Sequence, residues 1–257
     1  HHIMLPKQGV AVHINAFNFP IWGMLEKIAV NLMAGVPAVV KPSEYTSFLT
    51  EVVVRDIIAS NILPEGSLQL IVGLGRGIID HVQTEDTVTF TGSAKTGKIL
   101  KGLPQIADRS VSFNLEADSL NACILGEKAV PGTAEFDLFI KEVSKEITVK
   151  AGQKCTAVRR ILVPDSLIDE VQIALSKRLA STAVGNPSVE GVRMGALATK
   201  LQVERVRENA NLLAKSQEIV FGSIDEVQVL GADASQGAFF SPILFRNNNP
   251  FINTDVH

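Results

Sequence analysis

Short β-branched runs, most of them followed by a polar turn and a helical pattern, constrain the fold of this chain more than any other feature. Residues 9–14, 37–40, 68–72 and 87–91 are mostly apolar and rich in Val, Ile and Thr, which reads as strand. Between them come helical patterns. Ile21, Leu25, Ile28 and Leu32 recur at helical spacing in a segment that stops near Gly35, and residues 47–60 form a second such segment. Residues 94–100 read as a third helix after Gly92-Ser93. A strand that returns parallel to its neighbour needs a long crossover, and a helix supplies it. The alternation therefore predicts an α/β fold with open, mostly parallel sheets and helices on both faces. In such sheets ligands collect at the carboxyl ends of the strands. Asn18, Lys41, Glu44 and Ser93 all fall just past such ends.

The second half continues the pattern. Residues 110–115 read as a strand with Glu116 at its end, 121–125 as another strand, and 134–150 as a long helix. A strand over 160–163 and an amphipathic helix over 167–183 follow. After a turn at 184–187 comes a mostly polar helix over 198–216, with Val203, Val206, Leu212 and Leu213 as its apolar stripe. Residues 239–245 are strand-like. A boundary near Asp118 would divide the chain into two α/β domains, 1–118 and 119–257, and 257 residues suffice for two modest cores.

A hydrophobic content of 46% with 20% charged residues excludes a disordered chain. The net charge of −3 gives no electrostatic reason to expect a nucleic-acid partner. Two cysteines, Cys123 and Cys155, cannot build a disulfide framework, so a reducing cytoplasm is the expected setting. No apolar run reaches the roughly 18 residues of a membrane span, because Asn31, Gly35 and Pro37 cut the most apolar region. His1-His2-Ile3-Met4 is too short and polar for a secretory signal and could include a tag remnant. His13, His81 and His257 are isolated and no Cys or His cluster has metal-ligand spacing, so no metal is expected.

Two glycine-rich stretches invite nucleotide readings and fail them. Gly92-Ser93-Ala94-Lys95-Thr96-Gly97-Lys98 is followed by Ile99, where a P-loop needs Ser or Thr to reach Mg²⁺. Gly73-Leu74-Gly75-Arg76-Gly77 lacks the third glycine of a dinucleotide fingerprint and reads as a plain turn. Gly152-Gln153-Lys154-Cys155 is more pointed. Its glycine lets the backbone turn tightly beside the cysteine. Lys154, Arg159 and Arg160 would favour a thiolate, the nucleophilic form. On these residues alone, an inert buried thiol is as good a reading as a nucleophile.

Four short motifs bear on that choice. Phe17-Asn18-Phe19-Pro20, Lys41-Pro42-Ser43-Glu44, Phe90-Thr91-Gly92-Ser93 and Gly152-Gln153-Lys154-Cys155 occur in this order. They resemble the Trp-Asn-Phe-Pro, Lys-Pro-Ser-Glu, Phe-Thr-Gly-Ser and Gly-Gln-x-Cys motifs of NAD(P)-dependent aldehyde dehydrogenases. Each is modest alone; together they span nearly the whole chain. Residues 13–20 and Glu116-Ala117-Asp118-Ser119-Leu120-Asn121 are most similar to one branch of that family. That branch is the dehydrogenase half of the bifunctional phenylacetate-degradation ring-opening proteins, which oxidises a semialdehyde carried on coenzyme A. Where most of the family has Glu-Leu-Gly-Gly-Lys, this chain keeps the glutamate but not the glycines.

The resemblance implies part of an NAD(P)-binding domain over 1–118 and part of a catalytic domain over 119–257. It implies that Cys155 attacks an aldehyde carbon, that the Asn18 amide and the Cys155 N–H donate to the oxyanion, and that Glu116, as a buried carboxylate, activates the water that hydrolyses the thioester. Lys41, Ser43 and Glu44 would meet the adenosine ribose, and Gly92 and Ser93 the pyrophosphate, where a helix start favours anions. The Glu44 carboxylate favours NAD by repelling a 2′-phosphate, whereas Lys41 and the branch itself favour NADP; both cofactors stay open. The partners implied are a small-molecule aldehyde, a coenzyme A-linked one among the candidates, and further copies of the parent enzyme, with no nucleic acid and no membrane. The family's chain is longer at both ends, so a fragment is expected. A silent nucleotide- or partner-binding piece and a coenzyme A-acylating dehydrogenase are the alternative readings.

Overall fold

The computed structural model describes residues 1–3, 5, 7–75, 77–249, 251 and 256. The chain divides into two compact units, His1–Asp118 and Ser119–His257. Met4, Arg76 of the glycine-rich turn, and residues 253–255 and 257 of the terminal stretch lie outside the described residues.

The first unit runs β1 (Ala11–Ile14), α1 (Trp22–Met33), β2 (Ala38–Lys41), α2 (Ser47–Ala59), β3 (Leu68–Leu70), β4 (Thr87–Gly92), α3 (Ala94–Lys101), α4 (Pro104–Ala107) and β5 (Ser112–Ala117). All five strands pair in parallel, in the order β3-β2-β1-β4-β5. The chain therefore moves outward from β1 to β3, then crosses back to the other side of β1. Crossovers of one hand that run in opposite directions put their helices on opposite faces. The side chains follow suit. Ala38 and Val40 pack with Met24, Ile28 and Val54 of α1 and α2, whereas Val39 joins Val12, Val88, Ile106 and Val111 under α3 and α4. A strand covered on both faces reads as an unbroken apolar run, which is why Ala38-Val39-Val40 has no polar member before Lys41.

Central strand β1 carries one buried polar side chain, His13, which is 3% exposed. Its Nδ1 lies 2.7 Å from Thr89 Oγ1 and its Nε2 2.7 Å from Asn31 Oδ1. Asn31 Nδ2 donates to the Val36 carbonyl at 2.6 Å, so Oδ1 is the acceptor end of that amide. Nε2 therefore carries the proton and Nδ1 accepts from the Thr89 hydroxyl, a neutral imidazole with both nitrogens satisfied. Burial pushes the His13 pKa below its ordinary value; the bond to Asn31 opposes this and the charge of Lys27 adds to it.

The second unit runs β6 (Asn121–Ile124), α5 (Ala134–Thr148), β7 (Val158–Leu162), α6 (Ile168–Ala180), β8 (Ala183–Val184), β9 (Val192–Met194), α7 (Lys200–Leu213), β10 (Glu218–Phe221) and β11 (Leu244–Arg246). Its strands pair two by two: β6 with β7 and β8 with β9 in parallel, β10 with β11 antiparallel. Phe136, Phe139, Ile140 and Val143 of α5 share one helical stripe and pack on Val171 and Leu175 of α6. Thr133 caps α5 by accepting from the Phe136 N–H at 3.3 Å, and Glu135 and Asp137 complement the first turn.

Several bounds differ from the sequence expectation. β5 starts at Ser112 and not at 110, because Ser110 is left-handed at φ 51. The helix expected over 134–150 stops at Thr148, and the strand expected over 239–245 is confined to Leu244–Arg246. Neither α4 nor β8, β9 and β10 was anticipated; two- to four-residue elements are too short to show a period. No helix among the described residues is long and apolar enough to cross a membrane.

His13 sets a pH dependence. Its folded pKa lies below the ordinary 6.5, so the unfolded chain takes up the proton first as pH falls. The stability it contributes is complete above about pH 6.5 and is lost as pH drops below that value. The thermal midpoint should therefore fall between about pH 7.5 and pH 5, and His13→Gln should flatten the change. Calorimetry at the two pH values checks this; an equal slope in the variant would assign the dependence to other groups.

Candidate active site

The polar candidates of the first unit gather at the carboxyl end of its sheet. The Asn15 N–H extends the ladder by donating to the Lys41 carbonyl at 3.0 Å. From there the loop to Pro20 is tied to α2: Thr46 Oγ1 donates to the Phe17 carbonyl at 3.1 Å and Thr50 Oγ1 to the Pro20 carbonyl at 3.4 Å. Asn18 sits half-buried in this loop, just before the first helical bond, Gly23 N–H to the Phe19 carbonyl at 2.8 Å. Asn15 was not singled out from the sequence. It is buried, and both polar atoms of its side chain lack a partner, which is uncommon for a buried amide.

Lys41 is the last residue of β2 and not the first beyond it. Its stem is covered by the glycine-rich turn after β3. At Gly75, where φ is 61, a Cβ would lie 2.9 Å from Lys41 Cγ. The sequence predicts only a plain turn here; at Gly75 the lysine stem occupies the space a side chain would need. The Lys41 side chain is 9% exposed, and its ammonium reaches Glu44 Oε1 at 2.6 Å. A buried cation needs such a counter-charge. Burial pushes the Glu44 pKa up, but the hydrogen bond and charge of Lys41 outweigh it and hold the carboxyl below its ordinary value. Ser43 is buried beside them, with its carbonyl accepting from the Thr46 N–H at 3.2 Å.

β4 ends on Gly92, where a Cβ would meet the Phe90 ring at 2.6 Å. Ser93 caps α3, its Oγ accepting from the Thr96 N–H at 3.3 Å. The Ala94 N–H donates to Asp118 Oδ2 at 3.0 Å. An internal carboxylate thus already takes part of the anion-binding capacity of this helix start. Glu116 is the penultimate residue of β5, opposite Thr91, one residue inside the strand end at which it was expected. Its Oε2 accepts from Thr91 Oγ1 at 3.1 Å and stands 3.6 Å from Lys27 Nζ. The Glu116 side chain is 55% exposed, so the expected burial is not found. Lys27 escaped the sequence reading; the only signal for it is a Glu-Lys pair interrupting the apolar pattern of α1.

In the second unit, α5 gives way to a left-handed turn. Lys150, Ala151 and Gly152 have φ of 55, 53 and 71. Only the glycine adopts this freely; each of the other two costs about 1–2 kcal/mol, strain that persists where the surroundings over-determine it. Arg159 Nη2 donates to the Gly152 carbonyl at 2.7 Å. Gln153 Oε1 accepts from the Ala198 N–H at 3.0 Å, and Lys154 Nζ pairs with Glu146 Oε1 at 2.7 Å. Cys155 emerges from this turn exposed, which removes the reading of an inert buried thiol. Lys154 and Arg159, two of the cations expected to favour a thiolate, are engaged with Glu146 and Gly152. Cys123 is half-buried, and burial pushes its thiol pKa up. Among the described residues no group of three or more His, Cys, Asp or Glu could hold a metal ion.

Relieving the turn should be measurable. Ala151→Gly should leave stability unchanged or raise it by up to about 1 kcal/mol, because the strain removed exceeds or matches the added unfolded-chain entropy. Denaturant unfolding checks this, and a loss above about 1 kcal/mol would show that the Ala151 methyl packs usefully.

Comparisons with known proteins bear on the family and the fold. The aldehyde dehydrogenase family profile matches residues 3–254. The 3,4-dehydroadipyl-CoA semialdehyde dehydrogenase of Aromatoleum evansii is 45% identical over 256 residues, covering 100% of this chain and 50% of the relative. Betaine aldehyde dehydrogenase from Staphylococcus aureus, solved in complex with NAD+, superposes with a TM-score of 0.81 at 28% identity, covering 92% of this chain and 45% of that one. An aldehyde dehydrogenase from Pseudomonas syringae shares the fold, with a TM-score of 0.80 at 24% identity over 93% of this chain and 48% of that one. The chain spans about half the length of the curated relatives it matches. With the family profile matched over nearly its whole length, the chain belongs to the aldehyde dehydrogenase family.

Proposed function

We propose that this chain carries the cysteine nucleophile and part of the cofactor site of an NAD(P)-dependent aldehyde dehydrogenase that acts on a coenzyme A-linked semialdehyde. The observation that carries the reading is an exposed cysteine on a strained, tethered turn, within the Gly152-Gln153-Lys154-Cys155 motif of a member of this family. The substrate class is supported by the name of the 45% identical relative, a dehydroadipyl-CoA semialdehyde dehydrogenase. A place in phenylacetate degradation has only the likeness of residues 13–20 and 116–121 behind it. Residues 1–118 are part of the NAD(P)-binding domain in this reading, and 119–257 part of the catalytic domain. The parent enzyme is a homo-oligomer in a reducing, cytoplasmic setting, which suits the free thiols Cys123 and Cys155.

The first unit fits a dinucleotide on its own features. Strand order reverses at β1, and the gap between β1 and β4 is the switch point where such sheets take ligands. The Lys41–Glu44 pair at the end of β2 and the orphaned Asn15 amide at the end of β1 are polar groups with capacity for a ligand there. Lys41, Ser43 and Glu44 hold the adenosine ribose, and Gly92 and Ser93 face the pyrophosphate. Bound NAD(P) supplies a hydride acceptor. Cys155 Sγ bonds the aldehyde carbon and holds it first as a hemithioacetal and then as an acyl thioester. The Asn18 amide and the Cys155 N–H donate to the carbonyl oxygen as it gains charge. Glu116 takes the proton of the water that cleaves the thioester, with Lys27 and Thr91 orienting its carboxylate.

NAD(P)H formation with a coenzyme A-linked semialdehyde tests the reaction. Cys155→Ala should abolish turnover, by roughly 10³-fold or more. Glu116→Gln should permit a single burst of NAD(P)H and stop steady release of acid. Cofactor binding without turnover in the native chain would leave a silent binding piece, and steady turnover in Glu116→Gln would assign the base elsewhere. Cofactor choice has its own test. Glu44→Gln removes the charge that repels a 2′-phosphate and frees Lys41 to pair with one. The Kd ratio of NAD to NADP should shift toward NADP by about tenfold; a constant ratio in fluorescence titration would take Glu44 away from the ribose.

A further inference from the structure

Two side chains at the start of the second unit grip the Cys155 turn. Ser119 Oγ donates to the Cys155 carbonyl at 2.5 Å, and Asn121 Nδ2 donates to the same oxygen at 2.6 Å. Asn121 Nδ2 also donates to the Ala157 carbonyl at 3.1 Å and lies 3.4 Å from Ser119 Oγ. An amide nitrogen has two hydrogens, so the bonds to Cys155 and Ala157 can be made together. Asn121 opens β6, and the β6–β7 register slips just there: Asn121 faces Val158 while Ala122 faces Arg160. The skipped residue, Arg159, turns back to the Gly152 carbonyl at 2.7 Å. The turn is thus held on one flank by Arg159 and on the other by Ser119 and Asn121.

We infer that Ser119 and Asn121 are positioning residues that fix the Cys155–Thr156 peptide and so prepare the thiol for attack. The inference rests on Cys155 being the nucleophile. Two physical effects carry it. First, the Cys155 carbonyl lies one bond from the Cα that bears the thiol, and two donors on its oxygen draw off negative charge that would oppose a thiolate. Second, the preceding residues Lys150 and Ala151 are strained, so an ungripped turn would relax. A displacement of about 1 Å at a reacting group can cost roughly 10²-fold in rate.

The test reads thiol chemistry and needs neither aldehyde nor cofactor. The whole chain is alkylated with iodoacetamide and followed by mass spectrometry, with Cys123 as the internal reference and thermal melts run alongside. Ser119→Ala and Asn121→Ala should each slow Cys155 alkylation by about threefold, and together by roughly tenfold, with Cys123 unchanged. Ser119→Thr keeps the hydroxyl and should restore the native rate. A double variant that alkylates within about twofold of native would overturn the inference, whatever its melting midpoint, because a merely structural grip moves only the melt. If the double variant does not fold, the contrast between Ser119→Ala and Ser119→Thr decides by the same criterion. A Cys155 unreactive in the native chain would instead overturn the nucleophile reading itself, whereas a reactive one indifferent to both substitutions would sink only the grip.

Discussion

A parallel sheet covered on both faces admits an interior polar side chain only where a neighbour satisfies it, and most of the first unit follows from that. Its interior positions are Ala38, Val40, Val12 and Val88, with apolar neighbours above and below. The buried His13 is admitted inside because Asn31 and the mid-strand Thr89 satisfy both ring nitrogens of a neutral imidazole. Elsewhere polarity is displaced to the carboxyl ends. Lys41, Glu44, Asn15, Ser93 and Glu116 crowd there because the strands leave them no other place.

Those ends are neither loose nor uncommitted. Lys41 is sealed under Gly75 and neutralised by Glu44, so its charge is set before any ligand arrives. The start of α3 already meets the Asp118 carboxylate. A phosphate there must share the helix start with a negative charge, and a 2′-phosphate must compete with Glu44 for Lys41. The Cys155 turn shows the same economy in the second unit. Three consecutive left-handed residues expose the thiol, while Arg159, Gln153, Ser119 and Asn121 hold the backbone around it.

Legibility in the sequence tracked the range of the interaction. The strands β1, β2 and β4 and the helices α1, α2, α5 and α6 were readable, because a long apolar pattern with one period leaves few alternatives. Short elements such as α4, β8 and β9 were not, since their existence depends on distant partners. The candidate residues Asn18, Lys41, Glu44, Ser93 and Cys155 stand out through local words in the chain. Asn15, Lys27 and Gly75 were missed because each matters through a contact or a vacancy remote in sequence: an absent partner, a carboxylate on β5, a lysine stem on β2.

By itself the sequence determined the alternation of strands and helices, the crossover topology that goes with it, and the family motifs, all of which are set by local pattern and chain connectivity. Only the tertiary structure decided which charges are engaged. It set Lys154 on Glu146 and Arg159 on Gly152, left Glu116 half in solvent beside Lys27, and exposed Cys155. The reason is physical: burial and pairing depend on distances between side chains far apart in the chain, and electrostatic interactions change several-fold with those distances and with the water left around them.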